Sequence, residues 1–174
     1  MATLHTATVS TFLQGLVSAQ RFVYIAQAHC RQQGLPDSAL TEARLADDMW
    51  PFAKQIFECD HHSARAIIGI REGVFRPDRE PAPSDFASLS ARIAQAVALL
   101  EAVAPAELEA AAGNPMRFEF GTHRIDYRVE DFLLSFSLPN FHFHLATAYG
   151  ILRSRGLPLG KLDYLGTTRT LASA

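Results

Sequence analysis

Apolar residues recur three and four positions apart along four long stretches of the chain, the spacing of one face of an α-helix. In the first, Val9, Phe12, Leu13, Leu16, Ala19, Val23 and Ala26 predict a helix from about His5 to Gln33, with Gly34 as a left-handed stop and Pro36 beyond it. In the second, Met49, Phe52, Ala53, Ile56, Ala64 and Ile67 predict a helix that begins near Asp47 or Asp48 and ends around Gly69 to Gly73. Pro51 falls in its first turn, where a missing N–H does no harm. Leu89, Ile93, Val97 and Leu100 mark a third helix, with Ser84 as its cap and Pro105 as its stop. Phe141, Leu145, Ala148 and Leu152 mark a fourth, which starts after "SLPN" and ends at Gly156.

The connections are as informative as the helices. "VFRPDREPAPSD", between helices two and three, is a proline-rich loop long enough to cross a bundle. Between helices three and four the period changes to two. Met116, Phe118 and Phe120, then Ile125, Tyr127 and Val129 after the Gly121 turn, predict a short β-hairpin. The pattern as a whole predicts an all-α four-helix bundle with a small hairpin, forming one domain over 1–166. The segment "LPLGKLDYLG" (157–166) either packs over the bundle or forms a partner face, and the tail 167–174 is expected to be disordered.

Composition narrows the function classes. A net charge of -2 with no concentrated Lys and Arg argues against a nucleic-acid partner. No apolar run approaches the ~20 residues of a membrane span, and "MATLHTATVS" lacks the features of a signal peptide, so a cytoplasmic protein is expected. Cys30 and Cys59 are too few and too far apart for a disulfide framework and read as buried free thiols. No GxSxG, Walker loop, GxGxxG, HExxH or zinc-ribbon spacing occurs.

Polar residues within apolar stripes carry the remaining chemistry. Asp60, four residues after Ile56 and four before Ala64, places a carboxylate inside the stripe of helix two, where it needs a partner or must be neutral. His144 lies between Phe141 and Leu145 on the inward side of helix four, as a structural histidine or a site residue. His142, about 200° away round the helix, cannot share its site. His61, His62 and His123 read as surface residues, His29 as a helix C-terminal residue, and His5 stands at the mouth of helix one.

The stretches "LHTATVSTF" (4–12), "ARLADDMWPFAKQI" (43–56), "CD" (59–60) and above all "SFSLPNFHFHLATAYGILRSRGLPLGKLDYLG" (135–166) resemble an uncharacterised bacterial domain-of-unknown-function family grouped with the DinB/YfiT-like four-helix bundles. The resemblance covers nearly the whole chain. It implies an up-down-down-up topology, in which His5, Asp60 and His144 approach one another at one end. A simple up-down-up-down bundle would instead put His29 and the 48–55 region beside His144. DinB-like relatives often bind a divalent metal through three histidines, one early in helix two and an HxxxH pair on helix four. Counted back from Arg153 and Gly156, those positions fall on Gln55, Asn140 and His144. One imidazole with two amides is a weak donor set for zinc or nickel, so no cofactor is expected at this degenerate metal site.

Three readings follow. In the first, Gln55, Asn140, Thr147 and His5 line a polar pocket for a small molecule. His144 is then the candidate acid/base, with Asp60 or Asn140 orienting it and Tyr149 donating a hydrogen bond. In the second, the same groups form a satisfied buried network in a non-catalytic protein that acts as a homodimer. In the third, His5 or His61 replaces a lost ligand and the chain is a zinc- or nickel-dependent hydrolase or thiol-dependent transferase, as the resemblance implies for some relatives.

Overall fold

Thr8 divides the first expected helix into α1 (Leu4–Ala7) and α2 (Val9–Gln33) in this computed structural model, which describes residues 3–78 and 80–170. The Thr8 hydroxyl donates to Leu4 O at 2.7 Å, a local bond that competes with the helical ladder. Gly34, at φ 64°, ends α2 as expected, and a single turn, α3 (Ser38–Thr41), follows. The second long helix starts at Phe52 rather than at Asp47 or Asp48, as α4 (Phe52–Asp60). The physical reason is Pro51, because the residue before a proline is disfavoured in the α region and Trp50 therefore cannot be helical. A π-helical turn, His61–Arg65, joins α4 to α5 (Ala66–Glu72), which stops at Gly73 with φ 72°.

The two-residue strand β1 (Val74–Phe75) precedes the proline-rich loop. Asp85, not Ser84, caps α6 (Phe86–Glu101), its carboxylate accepting from Ser88 N at 2.8 Å. A carboxylate also suits the positive end of a helix better than a hydroxyl. Pro105 opens a further helix, α7 (Pro105–Ala111), as well as ending the one before. The hairpin is present as β2 (Pro115–Phe120) and β3 (His123–Arg128), paired antiparallel with Phe118 opposite Ile125. It is not alone, because β1 adds in parallel beside β2, Phe75 opposite Phe118, making a mixed three-stranded sheet. That third strand relieves the marginal stability of an isolated hairpin.

The last long helix begins earlier than "SLPN". α8 (Val129–Asp131) runs through a π-helical stretch, Phe132–Ser137, into α9 (Leu138–Ser154). Pro139, which has no N–H for the ladder, sits directly after this widened stretch. Beyond it, α10 (Lys161–Leu165) lies over α2, where Gln14 Nε2 donates to Leu165 O, Ser18 Oγ to Tyr164 O, and Arg21 pairs with Asp163. Of the two expectations for 157–166, packing over the helices is the one observed. The 167–174 tail extends past the described residues at 171–174.

The fold is thus mostly helical, with α2, α4, α6 and α9 sharing a core of Phe12, Phe22, Phe52, Phe57, Phe86, Phe132 and Phe141. Phe12 meets Phe141 and Phe22 meets Tyr149, in the same order along α2 and α9. Gln55 of α4 meets His144 of α9, and His62 O in the π-helical turn after α4 meets Ser137 Oγ in the π-helical stretch before α9, so the two helical rods run in the opposite order. Cys30 and Cys59 are free and buried. No single helix among the described residues is long and apolar enough to cross a membrane.

Gly15 permits the close approach of α2 to α9. A Cβ built there would stand 2.6 Å from Phe141 Cζ and 3.1 Å from Leu145 Cδ2. Gly15→Ala is therefore expected to destabilise the fold by about 1–3 kcal/mol through overpacking, despite alanine's better helix propensity. Urea denaturation measures this, and a variant as stable as the parent would show that Phe141 yields freely.

Candidate functional site

Three donor side chains, Glu58, His62 and His144, converge in the interior with their ligand atoms all within 4.8 Å of one another. Glu58 and His62 are four residues apart and so share one side of the α4 rod, while His144 faces them from the middle of α9. All three are buried, at 6%, 7% and 5% exposure. His61 is also buried, at 2%. The expectation that His61 and His62 point to solvent is thus overturned. Helices α6 and α9 both press on this turn, and of its five residues only Arg65 reaches solvent.

The hydrogen bonds fix the chemistry of each ring. Gln55 Nε2 donates to Trp50 O at 3.1 Å, which directs its amide oxygen to His144. That oxygen only accepts, so His144 Nδ1 carries the proton and donates to Gln55 Oε1 at 2.7 Å. Nε2 of the neutral ring then bears a free lone pair. His61 Nδ1 donates to Glu58 Oε2 at 3.2 Å, and Lys54 Nζ lies 2.6 Å from Glu58 Oε1. His62 Nε2 stands 3.8 Å from Glu58 Oε2, and its buried Nδ1 has no hydrogen-bond partner among the described residues.

Aromatic packing shields the cluster. The His144 ring is stacked between Trp50, at 5.7 Å and 13°, and His62, at 5.5 Å and 14°. Phe75 and Phe136 flank His62. Burial lowers the His62 pKa to about 3, with repulsion from His144 adding to it, and lowers that of His144 to about 4. Burial acts on Glu58 in the raising direction, but hydrogen bonds from His61 and Lys54 overcome it and hold the carboxyl down at about 2. The cluster therefore presents two neutral imidazoles and one carboxylate at neutral pH.

The other expected site residues are dispersed. Gln55 does face His144. Asp60 does not, because five residues after Gln55 it is turned about 140° round the helix and meets α6 instead. There Arg92 Nε lies 2.7 Å from Asp60 Oδ2, and the guanidinium covers the Phe57 ring at 3.9 Å. Burial raises the Asp60 pKa against the attraction of Arg92. His5 Nε2 contacts Val103 O at 3.1 Å and its backbone N–H binds Glu109, with no hydrogen bond or ring contact to His144 among the described residues. The expected convergence of His5, Asp60 and His144 does not occur. Asn140 donates to Phe136 O and Thr147 to Phe143 O, so both serve their own helix. Tyr149, turned away from His144 by the same 140°, packs on Phe22 and Tyr164. Of Gln55, Asn140 and His144, only Gln55 and His144 meet, and the donor side chains grouped with His144 are Glu58 and His62. The E-x-x-x-H spacing from Glu58 to His62 was the available signal.

The fold has a known counterpart. A solved structure described as a DinB family member from Shewanella denitrificans is 27% identical, with 98% of this chain and 96% of that chain covered and a TM-score of 0.77. No curated protein matches the chain. The family model "Domain of unknown function (DUF1993)" matches residues 4–165. With nearly its full length spanned by that match, the chain belongs to the DUF1993 family.

Proposed function

We propose that this protein is a DinB-like, up-down-down-up four-helix bundle whose Glu58–His62–His144 cluster holds one divalent transition-metal cation beside a small-molecule pocket. The same-order contacts of α2 with α9, and the reversed contacts of α4 with α9, support that topology. The observation that carries the metal reading is the Gln55–His144 bond. It fixes the ring with Nδ1 protonated, so Nε2 is the lone-pair nitrogen, the arrangement that outer hydrogen bonds give to metal-bound histidines. The orphaned Nδ1 of buried His62 is a further unsatisfied donor or acceptor at the cluster. Two imidazoles and one carboxylate fit zinc and its neighbours, unlike the amide-rich triad expected from the sequence.

A cation held there supplies Lewis-acid polarisation of a substrate oxygen. The chain's own groups do the rest. Lys54 holds the second oxygen of Glu58, His61 orients the first, and Trp50, Phe75 and Phe136 keep water from the rings. The Lys54–Glu58 contact at 2.6 Å also favours a second reading, a cation-free network in which the carboxylate is neutralised internally and His144 Nε2 serves as a base.

Elemental analysis of untagged protein, equilibrated with zinc and then dialysed, separates the two. About one ion per chain is expected, with affinity reduced at least tenfold in Glu58→Gln and His144→Asn, and by about 10- to 100-fold in Gln55→Leu. Retention of no ion by the parent protein excludes the metal reading.

A second outcome concerns acid stability in the presence of chelator. The folded pKa values of His144, about 4, and His62, about 3, lie below the unfolded value near 6.5. The unfolded chain therefore binds more protons in this window. The stabilisation is complete above about pH 6.5 and is lost as the pH falls towards 4. Glu58 acts in the same sense below about pH 4.5. Each ring is expected to lower stability by about 1.5 kcal/mol between pH 6.5 and 5, read from urea midpoints. His144→Asn flattens the slope, and a flat parent profile would show that burial does not hold the rings neutral.

A further inference from the structure

A cavity of about 190 Å³ lies on the α6 side of the α4 rod, between the end of α4, the π-helical turn, α5 and α6. Ile68, Ala96 and Leu99 give it an apolar wall, and Asp60, Arg65 and Arg92 its charged groups. It is smaller than the ~300–1,000 Å³ sites that take drug-sized ligands, and suits a molecule of a few carbons. None of its charged groups is among the three donors of the Glu58–His62–His144 cluster.

Donors outnumber acceptors in this cavity. Asp60 Oδ2 lies 2.7 Å from Arg92 Nε and 4.0 Å from Arg65 Nε. The second distance is too long for a hydrogen bond, and at the first the oxygen stands off the N–H direction. Asp60 therefore answers the charge of Arg92 without satisfying its donors. Nε and Nη2 of Arg92 are buried without a hydrogen bond, and neither arginine makes one among the described residues. Each guanidinium presents five N–H donors and no acceptor. Phe57 covers the face of Arg92 at 3.9 Å, so the remaining polar chemistry of that group is at its edge. Asp78, the other acid within electrostatic reach of both arginines, lines the neighbouring cavity instead, with Oδ1 accepting from the Glu80 N–H. Two guanidiniums that share one carboxylate leave the lining cationic whatever the charge on Asp60.

We infer that this cavity is a binding site for a short aliphatic carboxylate, whose oxygens accept from the Arg65 fork and the Nη1 end of Arg92 while its chain packs on Ile68, Ala96 and Leu99. A planar carboxylate matches the guanidinium fork, and charge-assisted bonds of this kind are the strong ones. An ammonium would bring a third positive charge to a wall that already holds two, and it has no lone pair to accept their N–H groups. A neutral amide supplies one acceptor oxygen and no charge. The inference goes beyond the metal reading and needs no cation at Glu58.

The test is a ¹H–¹⁵N titration of the full, chelator-treated protein at constant ionic strength with butyrate, butyramide and butylamine, three probes of equal chain length. Butyrate is expected to shift the Nε–H signal of Arg92, which burial protects from exchange with water. It should bind at least tenfold more tightly than the amide or the amine. Arg65→Gln, a change at a half-exposed side chain, should weaken butyrate at least tenfold while leaving the melting temperature unchanged. Equal binding of the three probes, preference for the amine, an Arg92 signal that butyrate does not move, or an Arg65→Gln protein that binds butyrate as the parent does would each overturn the inference. The titration uses protein without metal, so its failure is separable from failure of zinc binding, which is read by elemental analysis alone.

Discussion

A carboxylate buried on α4 organises the interior of this protein. Glu58 is ionised out of contact with bulk water, a state that costs several kcal/mol unless each oxygen is matched. Lys54 takes one oxygen and His61 the other, and both come from the same helical rod as the acid. Because the charge is neutralised within one element, α4 can be packed against α9 and α6, with α2 and α3 also touching it. His62 and His144 then meet in the space beside it, neutral and desolvated.

Asp60, two residues on, faces the opposite wall, where a different helix answers it. Arg92 of α6 pairs with it and lies across Phe57, so the guanidinium gains both an anion and an aromatic face. One short rod thus joins α9 through Gln55 and His144 and joins α6 through Asp60 and Arg92. Removing either partner would strand a buried charge, which is more damaging than never having had the pair. This gives α4 little freedom to rotate or slide and holds the donor cluster in place.

Much of the architecture was legible from periodicity. The four helical stripes, the Gly34 and Gly73 stops, the hairpin and the inward face of His144 all follow from spacing and turn chemistry. The pairing of Gln55 with His144 was also anticipated, by resemblance. Glu58, His61 and His62 were missed for a physical reason. A stripe has meaning only when a helix has a dry side and a wet side, and every residue from Gln55 to Ala64 is buried. On such a helix, polar neighbours of Asp60 look like surface residues although no surface exists. The second strand partner of the hairpin was hidden for another reason, since a two-residue strand such as Val74–Phe75 is too short for alternation to register. The π-helical stretches were equally silent, because one extra residue in a turn leaves no mark on composition.

Trp50 is the chain's single tryptophan, and it is half exposed while its ring lies flat against His144. Indole emission from this protein therefore arises from one place, a ring stacked at 5.7 Å from the imidazole that Gln55 orients. Any event that changes the charge or position of that imidazole alters the quenching of a solitary fluorophore. The fold thus carries its own optical label, without a dye or an added residue, and a cuvette measurement resolves events at the centre of the molecule.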